Sequence, residues 1–309
     1  MVGKPTEIQV RVPASSANLG PGFDTLGLAL GLYDDIEISV ASDGVAVEVV
    51  GEGAGMVPQD ERHLIVRAMR RAWAVFGDAP SGLRMKCRNA IPHARGLGSS
   101  AAAAVAGVVA AAVLAGREVE LERDALLQLA AGMEGHADNA AASLLGGFVV
   151  AWESPVEPAD DGSGNISTRF HAVRSDAHPS IRPVVLVAHT ESSTASAREL
   201  LPARVPHGDA AFTAARSALA VLAFTQRPDL LLEATEDRLH QPYRRSAYPA
   251  TANLVDALRA RGVAAAISGA GPSVLALSTD GELPDGLDLS GFTPMPLEID
   301  ETGVRVEIA

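Results

Sequence analysis

Groups able to do chemistry gather in a few short stretches of this 309-residue chain, and one of them is built to meet an anion. Ile91-Pro92-His93-Ala94-Arg95-Gly96-Leu97-Gly98-Ser99-Ser100 runs straight into Ala101 to Ala104. A glycine-serine turn feeding a run of strong helix formers makes a helix N-terminus, whose free N–H groups and positive dipole end face whatever the loop encloses. Phosphate is the commonest guest of such a site. Gly96 and Gly98 allow positive φ and close approach of the main chain, and Ser99 and Ser100 bring hydroxyls to the cap. The stretch is not a P-loop: no Gly-Lys-Ser/Thr follows, and Lys4 and Lys86 are the chain's only lysines. It lacks the third glycine of a dinucleotide fingerprint.

Three further stretches carry polar groups at close spacing. Pro13-Ala14-Ser15-Ser16-Ala17-Asn18-Leu19-Gly20-Pro21-Gly22-Phe23-Asp24 places a carboxamide and a carboxylate in one loop, which could hold a small polar ligand or simply turn the chain. Glu134-Gly135-His136-Ala137-Asp138-Asn139 concentrates metal-binding and hydrogen-bonding groups, and reads equally as a solvated helix–helix turn with Asp138 or Asn139 as N-cap. Ile267-Ser268-Gly269-Ala270-Gly271-Pro272-Ser273 is, by itself, a hairpin turn between two apolar strands.

Taken in order, these stretches resemble the three motifs of the galactokinase, homoserine, mevalonate and phosphomevalonate kinase superfamily, and the Ser-Ala-Asn-Leu-Gly-x-Gly-Phe-Asp loop resembles that of its homoserine kinases. The resemblance covers nearly the whole chain. It implies an α+β protein with an N-terminal ribosomal-S5-like domain, placed at residues 1–165, and a C-terminal ferredoxin-like domain at 166–309. It implies phosphorylation of the homoserine hydroxyl by ATP with Mg²⁺, on the way to threonine. Pro92, His93, Ala94, Arg95, Gly96, Leu97, Gly98, Ser99, Ser100, Ala101 and Ala102 would bind ATP. Asn18, Asp24, His136, Asn139, Thr194, Arg198, Arg244 and Gly269 would bind the amino acid. Ser100 and Glu134 would ligate the metal; some relatives carry that glutamate further upstream, where this chain has Gln128 and Gly132.

Asn139 and Arg244 are the residues implied in catalysis. Asn139 stands where several superfamily kinases place an aspartate base, and a carboxamide cannot take a proton, so catalysis would rest on positioning and charge stabilisation. Arg198 and Arg244 suit the substrate because a guanidinium fork pairs with a carboxylate. The rivals are a kinase of the same superfamily acting on an isoprenoid or sugar alcohol, and a ligand-binding protein of the same fold without turnover. Asn18, Asp24, Arg198 and Arg244 together favour a zwitterionic substrate; His63 has no role assigned.

The elements that must hold these groups follow from periodicity. Residues 7–12 alternate as a strand ended by Pro13, and 33–40 with 45–50 read as a strand pair turning at Ser42-Asp43-Gly44. Helices are expected at 62–76, 100–116, 122–134, 208–225, 229–240 and 250–261, and strands at 183–188, 263–268 and 273–277. The polar stretch 153–165 reads as a boundary or exposed loop. A net charge of −13 speaks against nucleic acid or an anionic membrane as partner, and the longest apolar run, 101–115, is too short to span a bilayer. Cys87 stands alone, so no intrachain disulfide forms. A cytoplasmic protein is expected, with the choice between monomer and homodimer open.

Overall fold

A computed structural model of the chain describes residues 4–156, 167–192 and 194–308. Its first half is a sheet with four helices on it. The order is β1 (Glu7–Asn18), β2 (Gly22–Ala41), β3 (Gly44–Gly51), α1 (Leu64–Phe76), β4 (Gly82–Asn89), α2 (Ser99–Leu114), α3 (Val119–Glu134), α4 (Asp138–Leu145), β5 (Phe148–Val156) and β6 (Ser167–Ser175). The second half adds β7 (Arg182–Ala188), α5 (Thr194–Glu199), α6 (His207–Thr225), α7 (Leu231–Ala234), α8 (Gln241–Arg244), α9 (Pro249–Arg259), β8 (Ala264–Ile267), β9 (Val274–Ser278), β10 (Phe292–Pro296) and β11 (Arg305–Ile308).

β1 begins as its alternation predicts, with Ile8, Val10 and Val12 buried and Glu7, Gln9 and Arg11 outward. It does not stop at Pro13. The register against β2 shifts between Pro13 and Ala14, a bulge that absorbs the missing N–H and carries the strand on to Asn18. β2 and β3 are not paired with each other: β4 lies between them, antiparallel to β2 and parallel to β3. The α1 crossover returns the chain to the slot that the expected hairpin would have closed.

α2 is buried along nearly its whole length, which is why it is apolar on every side. It meets α1 so closely that a Cβ on Gly107 would lie 2.5 Å from the Ile65 carbonyl oxygen. Trp73 Nε1 donates to the Ala111 carbonyl at 3.1 Å across the same seam.

The second sheet, in the order β10-β7-β9-β8, is antiparallel throughout, and Leu254, Val255 and Leu258 of α9 share its core with Leu186 and Val274. The expected helix over 229–240 is broken: a 3-10 turn at Pro228–Leu230 and α7 end at Ala234, and α8 starts afresh at Gln241. Asp237 dictates the break, because its carboxylate accepts the N–H groups of Leu239, His240 and Gln241 at 2.7, 3.0 and 2.8 Å.

The sheets do not part at 165/166. β6 pairs with β5 along nine residue pairs, and β11 returns to pair with β1, so both belong to the seven-stranded first sheet. Of the polar stretch 153–165, residues 153–156 form the end of β5, and the rest lies outside the described residues.

Candidate active site

The glycine stretch reaches the sheet through Asp34, whose buried Oδ1 accepts Ala90 N–H at 2.8 Å and Ile91 N–H at 3.0 Å. Burial raises this carboxyl to about 6. From there the loop turns through Ala94, Gly96 and Gly98, all at positive φ, into α2. A Cβ on Gly96 would lie 2.2 Å from the Ser268 carbonyl oxygen, and one on Gly98 2.2 Å from Ser15 Oγ. Gly98 itself is the N-cap, in the left-handed region, with no side chain among the described residues capping the first turn of α2. Ser99 and Ser100 are therefore inside the helix rather than at its cap, and Ser100 Oγ donates to Glu134 Oε1 at 2.6 Å.

Residues 94–100 line an open cleft of about 660 Å³. Other members of the stretch do not reach it. Pro92, Ala101 and Ala102 are buried, and Ala102 N–H is already given to the Gly98 carbonyl at 2.8 Å. Arg95 lines the cleft but spends its guanidinium on the Ala188 and His93 carbonyls and on Glu191. His93 packs over Gly53. His63, buried, is the N-cap of α1, its Nδ1 accepting Ile65 N–H at 3.3 Å.

The opposite wall is made of charged side chains. Arg198, near the end of α5, holds Asp24 through two bonds of 2.8 and 2.7 Å. That hydrogen bond raises the arginine further above its ordinary value, against the pull of desolvation. Arg244, only 2% exposed, ends α8; its Nη1 bonds His240 Nδ1 at 3.0 Å and the Gly269 carbonyl at 3.1 Å, while its Nε is buried with no partner among the described residues. Burial lowers its pKa, but a guanidinium stays charged in a protein. Both guanidiniums lie near the face of the Phe23 ring, at 5.2 and 5.8 Å from its centroid.

Asn18 bridges the walls. Its Nδ2 donates to the Gly269 carbonyl at 2.8 Å and its Oδ1 accepts Asp24 N–H at 3.0 Å, so this amide is engaged in the frame of the site. Asn139, in the first turn of α4, lines the cleft and accepts Ser15 Oγ–H at Oδ1, 3.0 Å away, so Nδ2 keeps the amide's two donor protons. His136 Nδ1 meets buried Asp138 Oδ1 at 2.7 Å. Desolvation lowers the imidazole, but the hydrogen bond and charge of Asp138, with Asp24 and Glu134, outweigh it and leave the pKa raised. Thr194 opens α5, and its side chain is outside what is described.

Phe23, Asp138 and His240 complete the arrangement without having been named as site residues by sequence; Asp138, offered there with Asn139 as an N-cap, lies inside α4, whose N-cap is Ala137. Only His240 carried a usable signal: a histidine four residues before an arginine shares its helical face. A second open cavity, of about 820 Å³, lies behind α8, but its arginines already have partners, Arg245 with Asp256, Arg259 with Glu236 and Arg238 with Asp209.

Comparison with known proteins agrees with this frame. The GHMP kinases N terminal domain matches residues 63–147, and the GHMP kinases C terminal matches residues 216–286. A homoserine kinase of Rhodococcus erythropolis is 53% identical over 305 residues, covering 97% of this chain and 95% of that one. One from Streptomyces coelicolor is 50% identical, covering 94% and 95%. The crystal structure of homoserine kinase from Cytophaga hutchinsonii superposes with a TM-score of 0.81 at 26% identity, over 99% of both chains. The chain belongs to the homoserine kinase family of the GHMP kinases.

Proposed function

We propose that this member of the homoserine kinase family transfers the γ-phosphoryl group of ATP to the side-chain hydroxyl of L-homoserine, giving O-phospho-L-homoserine, in the cytoplasm. The observation that carries the reading is one cleft with two unlike walls: a helix N-terminus with no described side-chain cap beside Ser100 and Glu134, facing Asp24, Arg198 and Arg244.

The α2 end fits a polyphosphate, since no described side chain caps its first N–H groups, and Gly96 and Gly98, at positive φ and pressed against Ser268 and Ser15, hold the turn that presents them. Ser100 Oγ and Glu134 Oε1 are hard oxygen donors 2.6 Å apart, suited to Mg²⁺, which takes one or two protein oxygens and completes its shell with phosphate and water. When bound, Mg²⁺-ATP supplies the phosphoryl group and the divalent charge that offsets its oxygens.

The remaining work belongs to the chain. Arg244, with its buried Nε unpartnered among the described residues, and Arg198 receive the α-carboxylate, and Asp24 receives the ammonium. A zwitterion can displace the Asp24–Arg198 contact by offering each partner the opposite charge, so neither is left unpaired. His136, Thr194 and the Gly269 loop border the amino acid on this reading. Asn139 holds the reacting hydroxyl through Nδ2, because its Oδ1 is engaged by Ser15. No carboxylate base is required if the hydroxyl is held in line and its proton leaves with the transferred phosphoryl group.

The test is ADP release by the purified chain with Mg²⁺-ATP and homoserine, threonine, serine, mevalonate or galactose. Homoserine is expected to give the highest kcat/KM; preference for mevalonate or galactose would overturn the proposal.

A further inference from the structure

Arg244 is held by a residue that touches neither nucleotide wall nor open cleft. His240 is completely buried, and its two ring nitrogens join two parts of the substrate wall. Nδ1 lies 3.0 Å from Arg244 Nη1, and Nε2 lies 2.7 Å from the Gly20 carbonyl oxygen. A guanidinium can only donate, so Nδ1 is the acceptor, the proton sits on Nε2, and Nε2–H donates to Gly20. The ring also packs against Phe23, with centroids 5.3 Å apart. Gly20 lies in the turn before β2, and Phe23 and Asp24 in its first residues; that turn is pressed against the 235–240 segment, where a Cβ on Gly20 would lie 2.4 Å from the Thr235 carbonyl oxygen.

We propose that His240 is a positioning residue for substrate selectivity, fixing the distance and orientation of Arg244 relative to Asp24 so that the wall fits one amino-acid zwitterion. Burial holds the imidazole neutral, as this hydrogen-bond pattern requires. Asp237, whose Oδ2 is 3.5 Å from Nε2, accepts the N–H groups of His240 and Gln241 and so fixes where α8 starts. One face of a four-residue helix thus carries the ring at its entry and the guanidinium at its end.

The inference rests on the reading that Arg244 meets the substrate carboxylate, and its test separates the two. kcat/KM is measured for homoserine and for 3-aminopropan-1-ol, which lacks only the carboxylate, in the parent, Arg244→Leu, His240→Leu, His240→Asn and His240→Gln, with thermal melting of each. His240→Leu should lose about 10–100-fold on homoserine, the range for partners that orient a binding group, and less than about 2-fold on the amino alcohol. His240→Asn can place an oxygen where Nδ1 stands and should recover most of the loss; His240→Gln mimics Nε2 and should not. Should His240→Leu not fold, the Asn and Gln pair decides the matter alone. Selective loss in Arg244→Leu with equal losses on both substrates in the His240 variants overturns the positioning role and leaves the carboxylate reading intact. Equal losses on both substrates in Arg244→Leu itself overturn both.

Discussion

The two walls of the cleft are made of different material. The wall proposed to face phosphate is main chain, the turn through Gly96 and Gly98 and the first N–H groups of α2, drawn from one run of consecutive residues. The facing wall is side chains: Asp24, Arg198 and Arg244 come from three separate segments and meet only in the fold, with His240 behind Arg244. Main-chain donors recognise the shape and charge of any polyphosphate, whereas a pattern of opposed side-chain charges recognises one arrangement of charge on a small molecule. On the proposed reading, turnover and selectivity have separate addresses in this protein, and substitutions can pull them apart.

The sharpest division should come from Arg244→Leu. Removing a buried partner from a desolvated carboxylate costs about 2–5 kcal/mol, a factor of roughly 30 to several thousand in homoserine kcat/KM. The KM for ATP should stay within about twofold; a large rise there would mean that the walls are not separate.

Ser100→Ala should do the reverse. If Ser100 ligates Mg²⁺ as proposed, loss of its hydroxyl is expected to lower kcat by about 10²–10³-fold, since the contribution is several kcal/mol, while alanine continues the helix. Near-normal kcat at saturating Mg²⁺ would make the serine an ordinary partner of Glu134.

Gly98→Ala tests whether the main-chain wall depends on shape. With φ at +68° and Ser15 Oγ 2.2 Å from the new Cβ, the loop must move, at a cost of about 1–3 kcal/mol. A lower Tm and a raised KM for ATP are expected, and an unchanged Tm would show that the strain is absorbed locally.

Asp34 links that wall to pH. Its carboxyl is raised to about 6 by burial, above its ordinary 3.8, so the folded state binds the proton more tightly than the unfolded chain. Stability should fall as pH rises from about 4 to 6 and then level off, by at most about 3 kcal/mol. Denaturant unfolding of Asp34→Asn, which keeps an acceptor for Ala90 and Ile91, should lack that slope; a persisting slope would assign it to another group.

Asn139→Asp is read by its direction, because it removes the Nδ2 donor proposed to hold the hydroxyl and kcat should therefore fall. If the amide positions the hydroxyl and no base is needed, no acidic limb should appear in the pH profile. A large gain with such a limb would show that base catalysis had been within reach.

The main-chain wall was legible in sequence because its requirements are local: Gly96, Gly98 and the alanines after them state the turn and the helix in consecutive letters. Helices such as α1 and α9 were legible by period, their buried faces recurring every third or fourth residue. The side-chain wall was legible only by resemblance. Nothing near Arg198 says that it will hold Asp24, 174 residues away, and nothing near Asn18 says that its amide will be occupied by the frame. The break before α8 lay in one carboxylate competing for main-chain N–H groups, which apolar spacing does not register. The place of β4 between β2 and β3 depends on how α1 packs, and a strand's own alternation is silent about its neighbour.

β11 carries a consequence for how the molecule assembles. Ile8 faces Ile308 across the β1–β11 ladder, so this contact joins residues separated by almost the full length of the chain. The entropy of closing so long a loop grows only logarithmically, but such contacts raise the contact order and form after local ones. Until β11 docks, β1 is an open sheet edge able to pair with another chain, the usual route to aggregation during refolding. A defect such as Val306→Pro, which removes a donor from that ladder, should therefore appear first as faster unfolding and lower refolding yield, with the early folding rate almost untouched.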